Sequence, residues 1–131
     1  MKLKRFLIIY AAVTFSWGIA WLLLPSQLFI VYRLQETTSL KYAGQLLGAI
    51  LIGLATIAWS VRNAPRSEVL RSILGAIFVA EALCFIVSLT GQLRGTVNIM
   101  GWSTVIICFV FTIGFGYFYV YQLKWSKCNR K

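Results

Sequence analysis

Apolar residues run along this chain in four long stretches, separated by shorter segments that hold most of the charged residues. A transmembrane helix needs about 20 apolar residues to cross roughly 30 Å of hydrocarbon, and each stretch is close to that length. The stretches lack the period-2 alternation of barrel strands. The pattern predicts an all-α fold, with residues 1–131 forming one transmembrane domain whose four-helix bundle spans residues 7–24, 44–61, 72–90 and 101–123.

The connecting segments carry weaker signals. Residues 25–42 are too polar for a span and too apolar for a free linker, which predicts a short interfacial helix near Phe29 and Tyr32. Pro65 suits the first turn of the helix that contains the third span. Asn98 is expected to cap the helix of the fourth span.

Composition supports a membrane protein, because 60% of the residues are hydrophobic and only 12% are charged. The net charge of +10 is distributed as a topology signal, with ten basic residues on one side of the spans and three on the other. The positive-inside rule then predicts cytoplasmic termini for a multi-pass membrane protein. The ten are Lys2, Lys4, Arg5, Arg62, Arg66, Arg71, Lys124, Lys127, Arg130 and Lys131; the three are Arg33, Lys41 and Arg94.

The expected partners of these basic ends are membrane lipids with anionic head groups, to which residues 124–131 should bind. Nucleic acid is disfavoured, because the basic segment is short and Trp125 is its only aromatic residue. A homo-oligomer or a larger membrane complex is compatible with the pattern.

Several kinds of chemistry are disfavoured by missing residue types. The chain contains no histidine and no aspartate, which argues against haem, zinc and triad chemistry. Cys84 and Cys108 lie within spans and Cys128 in the tail, so all three are expected to be free thiols. The sequence therefore predicts no metal site, no cofactor and no enzymatic activity.

Glu81 is the only carboxylate within a predicted span. Ionisable residues at this depth are costly, and they mark candidate functional sites. Helical spacing places Cys84 and Ser88 on nearly the same face. Residues of the first and fourth spans at similar depth could hydrogen-bond the carboxyl group, namely Thr14, Ser16, Trp17 and Thr112.

Two interpretations of Glu81 stay open. Burial away from water disfavours the charged carboxylate, and no basic residue is available at that depth. Glu81 could then exchange its proton for a cation, as carboxylates do in transporters. Alternatively, it is a neutral residue whose hydrogen bonds join two helices.

Small and aromatic residues suggest where helices pack. Small residues allow close approach of helices in lipid, either within one bundle or between two copies. Most of the tryptophans and tyrosines near span ends suit anchoring at the membrane surface, while Trp17 and Trp21 could also line a ligand site. The candidate packing positions are Gly44, Gly48 and Ala55 in the second span and Ala76 and Ala80 in the third.

The segments GQLLG (44–48), AWSVR (58–62), GWST (101–104) and GFGYF (114–118) resemble a group of small bacterial four-helix membrane proteins with no assigned activity. The chain is also loosely similar to DoxX-type four-helix proteins. These resemblances imply only the fold and a location in a bacterial cytoplasmic membrane. Small multidrug transporters share the four-span plan, but their cation-binding glutamate lies in the first span, whereas Glu81 lies in the third.

Two functions follow as hypotheses. The first is a non-enzymatic accessory or structural membrane protein. The alternative is a small proton-coupled transporter of a cationic or amphipathic substrate that uses Glu81, with Trp17 or Trp21 lining the path.

Overall fold

The computed structural model describes the backbone of residues 2–128 and the side chains of residues 2–122. Within that part the chain forms helices and no strand, which confirms the predicted all-α class. Four helices are long and apolar enough to cross a membrane. The helices are α1 (Lys2–Leu23), α2 (Pro25–Tyr32), α3 (Thr38–Ser60), α4 (Glu68–Leu93) and α5 (Gly101–Cys128), with a 3-10 turn at Val61–Asn63.

The long helices extend beyond the apolar stretches because polar residues at their ends are also helical. Thr37 and Ser67 cap α3 and α4, and their hydroxyls accept hydrogen bonds from the backbone of Leu40 and Leu70. The expectation that Pro65 lies in a first helical turn is wrong, because α4 begins only after the Ser67 cap.

Each of the four long helices runs antiparallel to the next long helix in the chain. One end of the bundle, which we call the basic end, is where α1 and α4 begin and α3 and α5 finish; we call the other the α2 end. α1 packs chiefly against α3, and α4 packs chiefly against α5, so the bundle consists of two helix pairs. Large apolar side chains such as Ile50, Val87 and Ile106 remain exposed, as expected of helices that face lipid.

The densest core lies in the half of the bundle nearer the basic end. Aromatic rings from α1 and α5 meet there edge to face, with 4.7 Å between the ring centroids of Tyr10 and Phe115. All four long helices contribute, and the buried members are Leu7, Tyr10, Ala11, Ala58, Leu70, Leu74, Ile77, Phe111 and Phe115.

The short helix α2 confirms the helix predicted between the first two spans. Pro25 occupies its first turn, and Phe29 and Tyr32 are buried. The ring of Tyr32 stacks on Trp21 of α1, and its hydroxyl lies 3.0 Å from Oγ1 of Thr104 in α5. The α2 helix therefore contacts both helix pairs.

Asn98 links the start of α5 to α2. Its side-chain oxygen accepts a hydrogen bond from the backbone nitrogen of Met100, and its Nδ2 donates a 2.7 Å bond to the carbonyl of Val31. Asn98 therefore stabilises the turn before α5, although the helix itself begins at Gly101.

The α1–α3 contact depends on two glycines. A Cβ atom added to Gly48 would lie 2.6 Å from the carbonyl oxygen of Gly18, closer than side chains normally approach. Gly44 lies against the ring of Trp21, and Ala55 is buried farther along α3. These small residues therefore face α1 within the bundle.

The small residues that were predicted to pack in the third span do not lie on the packed face of α4. Ala76 is exposed and Ala80 is only half-buried. The buried positions of α4 are Leu70, Leu74, Ile77 and Glu81, which recur at helical spacing and bring larger side chains into the core.

Candidate ligand site at Glu81

Glu81 is buried between two helix pairs, with 7% of its surface exposed. The hydroxyl of Tyr10, in α1, donates a 2.8 Å hydrogen bond to Oε1 of Glu81, in α4. Tyr10 is itself completely buried among aromatic side chains, which fixes the position of its hydroxyl. The bond therefore connects the first helix pair to the second at a defined point.

A cavity of about 350 Å³ adjoins Glu81 on its α2 side. All four long helices contribute to its lining, which is mostly apolar. Among the described residues of that lining, Glu81 has the only carboxyl group. The hydroxyls of Thr14, Ser88 and Thr104 and the thiols of Cys84 and Cys108 add weaker polar atoms. The other lining residues are Val13, Trp17, Leu47, Leu51, Leu83, Val87, Ile107 and Phe111.

The site is strongly asymmetric along the bundle axis. Toward the basic end, Tyr10, Ile77 and Phe111 belong to the dense core. Toward the α2 end, the lining of the cavity continues one to two helical turns beyond Glu81, to Ser88 and Thr104. Glu81 and Tyr10 therefore lie at the closed end of the cavity.

A second cavity of about 180 Å³ follows in the same direction. The two cavities share four lining residues, Trp17, Leu47, Ser88 and Thr104. The second cavity also touches Tyr32 of α2 and Trp21. The two cavities therefore adjoin, and we call the row that they form between Glu81 and the α2 end the path; its walls are mainly aromatic and aliphatic side chains.

Gln92 lines the second cavity, and its side-chain amide is only partly hydrogen-bonded. Its Nε2 donates a 3.1 Å hydrogen bond to the carbonyl of Asn98. Its Oε1 is buried and, within the described part of the chain, has no hydrogen-bond partner. Buried polar atoms are normally satisfied, and this oxygen is instead packed against Gly101, which also lines the cavity.

The structure gathers several of the predicted site residues and separates others. Thr14, Trp17, Cys84 and Ser88 all line the cavity with Glu81. By contrast, the hydroxyls of Ser16 and Thr112 hydrogen-bond carbonyls of their own helices, those of Ala12 and Cys108. Neither contacts the carboxyl group, because equal membrane depth does not place a residue on the inward face.

Two of the three cysteines, Cys84 and Cys108, have described side chains. Cys84 is exposed and Cys108 is buried, and neither forms a disulfide. The prediction for Cys128 concerns a side chain outside the described residues, as do those for Lys124, Trp125, Lys127, Arg130 and Lys131. In residues 2–122 no group of three or more histidine, cysteine, aspartate or glutamate side chains is placed to hold a metal ion.

The sequence interpretation missed Tyr10, the direct partner of Glu81. A signal for it does exist, since Leu7, Tyr10, Thr14 and Trp17 recur at helical spacing along one face of α1. Tyr10 was overlooked because tyrosine in membrane proteins is enriched at the surface layers rather than among inward-facing residues.

The charge balance around Glu81 also bears on what the site can bind. No lysine or arginine among the described side chains forms an ion pair with Glu81; Lys41 pairs instead with Glu36, near the α2 end.

Comparison with known proteins gave no match to any family model, curated protein or solved structure. Function is therefore inferred from the geometry of this site.

Proposed function

We propose that this chain is a small proton-coupled transporter that binds a cationic or amphipathic substrate at Glu81. It acts without a cofactor and without covalent catalysis, in a bacterial cytoplasmic membrane with both termini on the cytoplasmic side. The observation that carries the proposal is the cavity that reaches a buried carboxyl group with no basic partner among the described residues.

The cavity suits a substrate with an apolar body and one positive charge. Its aliphatic wall can bury the body, and the faces of Trp17 and Trp21 can attract a cation during entry. Glu81 provides the single full countercharge, since the other polar lining groups are hydroxyls, thiols and an amide. A charge inside a membrane needs such a partner.

Proton exchange follows from the same geometry. While the site is empty, a neutral Glu81 avoids the cost of an isolated buried charge and accepts the hydrogen bond from Tyr10. When a monovalent cation enters, Glu81 releases one proton and the net charge in the site does not change. Tyr10 can donate its bond to the carboxyl group in either state.

The division into two helix pairs offers a way to alternate access. The pair α1–α3 and the pair α4–α5 each have extensive internal packing. Between them, the hydrogen bond from Tyr10 to Glu81 connects α1 with α4. A small rotation of one pair against the other would open the core on the basic side of Glu81 while closing the path on the α2 side.

The test uses the full chain reconstituted in liposomes with benzyltrimethylammonium as probe and an internal pH-sensitive dye. We expect probe uptake to drive proton efflux in the wild type. Glu81→Gln should weaken probe binding at least about tenfold, because it removes a charge–charge attraction of roughly 4 kcal/mol at about 4 Å and an effective dielectric constant of about 20. The matched control is Glu36→Gln, which removes an exposed carboxylate outside the spans.

The uncharged isostere neopentylbenzene distinguishes charge recognition from simple partitioning into lipid. Binding of both compounds to the same extent would contradict the proposal. Flux that persists in Glu81→Gln would show that the carboxylate mechanism is wrong even though transport occurs. A well-folded wild type without any probe binding or flux would instead favour the accessory or structural role.

A further inference from the structure

The basic end of the bundle contains a separate cavity, of about 530 Å³. It lies between the start of α1, the segment from the 3-10 turn to the start of α4, and the last turns of α5. Four basic residues line it: Lys2, Lys4, Arg62 and Arg66. Its described lining contains no acidic residue.

Neighbouring aromatic rings position both guanidinium groups. Arg62 lies 3.9 Å over the ring of Trp59 and donates a 2.6 Å hydrogen bond to the carbonyl of that residue. Arg66 lies 5.0 Å from the ring centroid of Tyr121, and its Nη2 contacts the tyrosine hydroxyl at 3.4 Å. Each guanidinium retains further N–H donors, since arginine carries five.

Four positive charges therefore lie together, and no described carboxylate is part of the cavity lining. Their mutual repulsion disfavours the empty site, and an anion would relieve it. Arginine is especially suited to phosphate, because its planar fork can donate two parallel hydrogen bonds.

The remaining lining is amphipathic. Gln122 is only 3% exposed and brings an amide to the cavity. Leu3, Leu70 and Phe118 form an apolar portion of the wall. Basic pockets of this kind, at the ends of transmembrane helices, bind anionic lipid head groups.

We propose that this cavity binds the phosphate group of one anionic phospholipid. The basic side chains hold the phosphodiester, and the apolar wall guides the acyl chains toward the surrounding bilayer. A soluble phosphate ester shares the head-group chemistry, but it offers nothing to the apolar wall. The proposal does not depend on the function of Glu81, because the two sites have no lining residue in common.

The experiment counts lipids retained by the full chain in zwitterionic detergent, using native mass spectrometry. Phosphatidylglycerol is compared with phosphatidylcholine of the same acyl chains, and glycerol 3-phosphate is tested as the soluble competitor. We expect one phosphatidylglycerol to bind preferentially. Arg62→Gln/Arg66→Gln should weaken it about 30-fold, since each basic residue near a lipid surface contributes roughly fivefold.

The matched control is Arg33→Gln/Arg94→Gln, which removes the same charge from the α2 end and should leave binding unchanged. If the first double variant does not fold, Lys2→Gln/Lys4→Gln tests the same cavity at the first turn of α1, with a similar expected loss. Equal retention of both lipids, or equal losses in the arginine variant and its control, would overturn the proposal. Glycerol 3-phosphate that binds as tightly as the lipid would overturn the assignment to a lipid.

Discussion

The hydroxyl of Tyr10 donates a 2.8 Å hydrogen bond to Oε1 of Glu81, and this bond joins α1 to α4 at the closed end of a cavity. The donor is completely buried and the acceptor nearly so. One bond therefore contributes both to the association of the two helix pairs and to the position of the proposed substrate-binding carboxyl group.

Removing the Tyr10 hydroxyl should weaken the bundle modestly. Tyr10→Phe retains the ring packing but deletes the donor. We expect a coupling free energy with Glu81→Leu of about 0.6–2 kcal/mol, the range for hydrogen bonds between membrane helices. A double-mutant cycle on unfolding in mixed detergent measures it, with the exposed Tyr42→Phe as a control that should have no effect. Additive single effects would show that the bond contributes nothing to stability.

Substrate binding should depend on pH in a defined direction. If one proton leaves Glu81 for each cation bound, acidification favours the proton, so affinity for benzyltrimethylammonium falls as pH is lowered. The limiting slope is about tenfold per pH unit for one exchanged proton. Equilibrium binding to the wild type and to Glu81→Gln measures it, and the variant should show a weak, nearly flat profile. A wild-type affinity independent of pH would contradict proton exchange.

Filling the path between the two cavities should block access to Glu81. Ser88 lines both cavities, so Ser88→Phe places a ring where the path is shared. We expect loss of probe binding with little loss of stability, because the ring enters existing space. Thr90→Phe is the control on the exposed side of the same helix. If Ser88→Phe binds the probe normally, the ligand reaches Glu81 by another route or not at all.

The close contact between α1 and α3 should tolerate no added methyl group. Gly48→Ala would bring a Cβ atom against the Gly18 carbonyl, and forced overpacking typically costs about 1–3 kcal/mol. Gly53→Ala in the same helix is the control, since an added Cβ there meets no atom within 4 Å. Thermal unfolding in detergent compares the two, and equal stability would show that α1 and α3 separate easily.

The sequence predicted the spans because apolar length is a strong and local signal. It also placed Glu81 correctly within a span, and Cys84 and Ser88 on its face, because helical periodicity relates residues of one helix to each other. Contacts between different helices were harder to predict from the sequence. Ser16 and Thr112 have the expected depth, but each hydroxyl bonds a carbonyl of its own helix.

The cavity itself had no signal in the sequence. It exists because side chains of four helices meet densely around Phe115 and less densely around Ser88, which depends on how the helices pack. The same limit applies to Ala76, which is exposed because α4 turns its larger residues inward. Small-residue patterns show where close approach is possible, whereas the partner surface determines where it occurs.

The attachment of α2 to both helix pairs bears on how fast the proposed transporter can open at this end. The backbone leaves helical geometry at Leu24, so α2 is covalently an extension of the first helix pair. Its hydrogen bonds through Val31 and Tyr32 reach Asn98 and Thr104, which belong to the second. In the proposed transporter this segment would hold the two pairs together at the α2 end, where they can part only after both bonds break. We therefore expect exchange of the cavity contents to be limited at α2 rather than at Glu81.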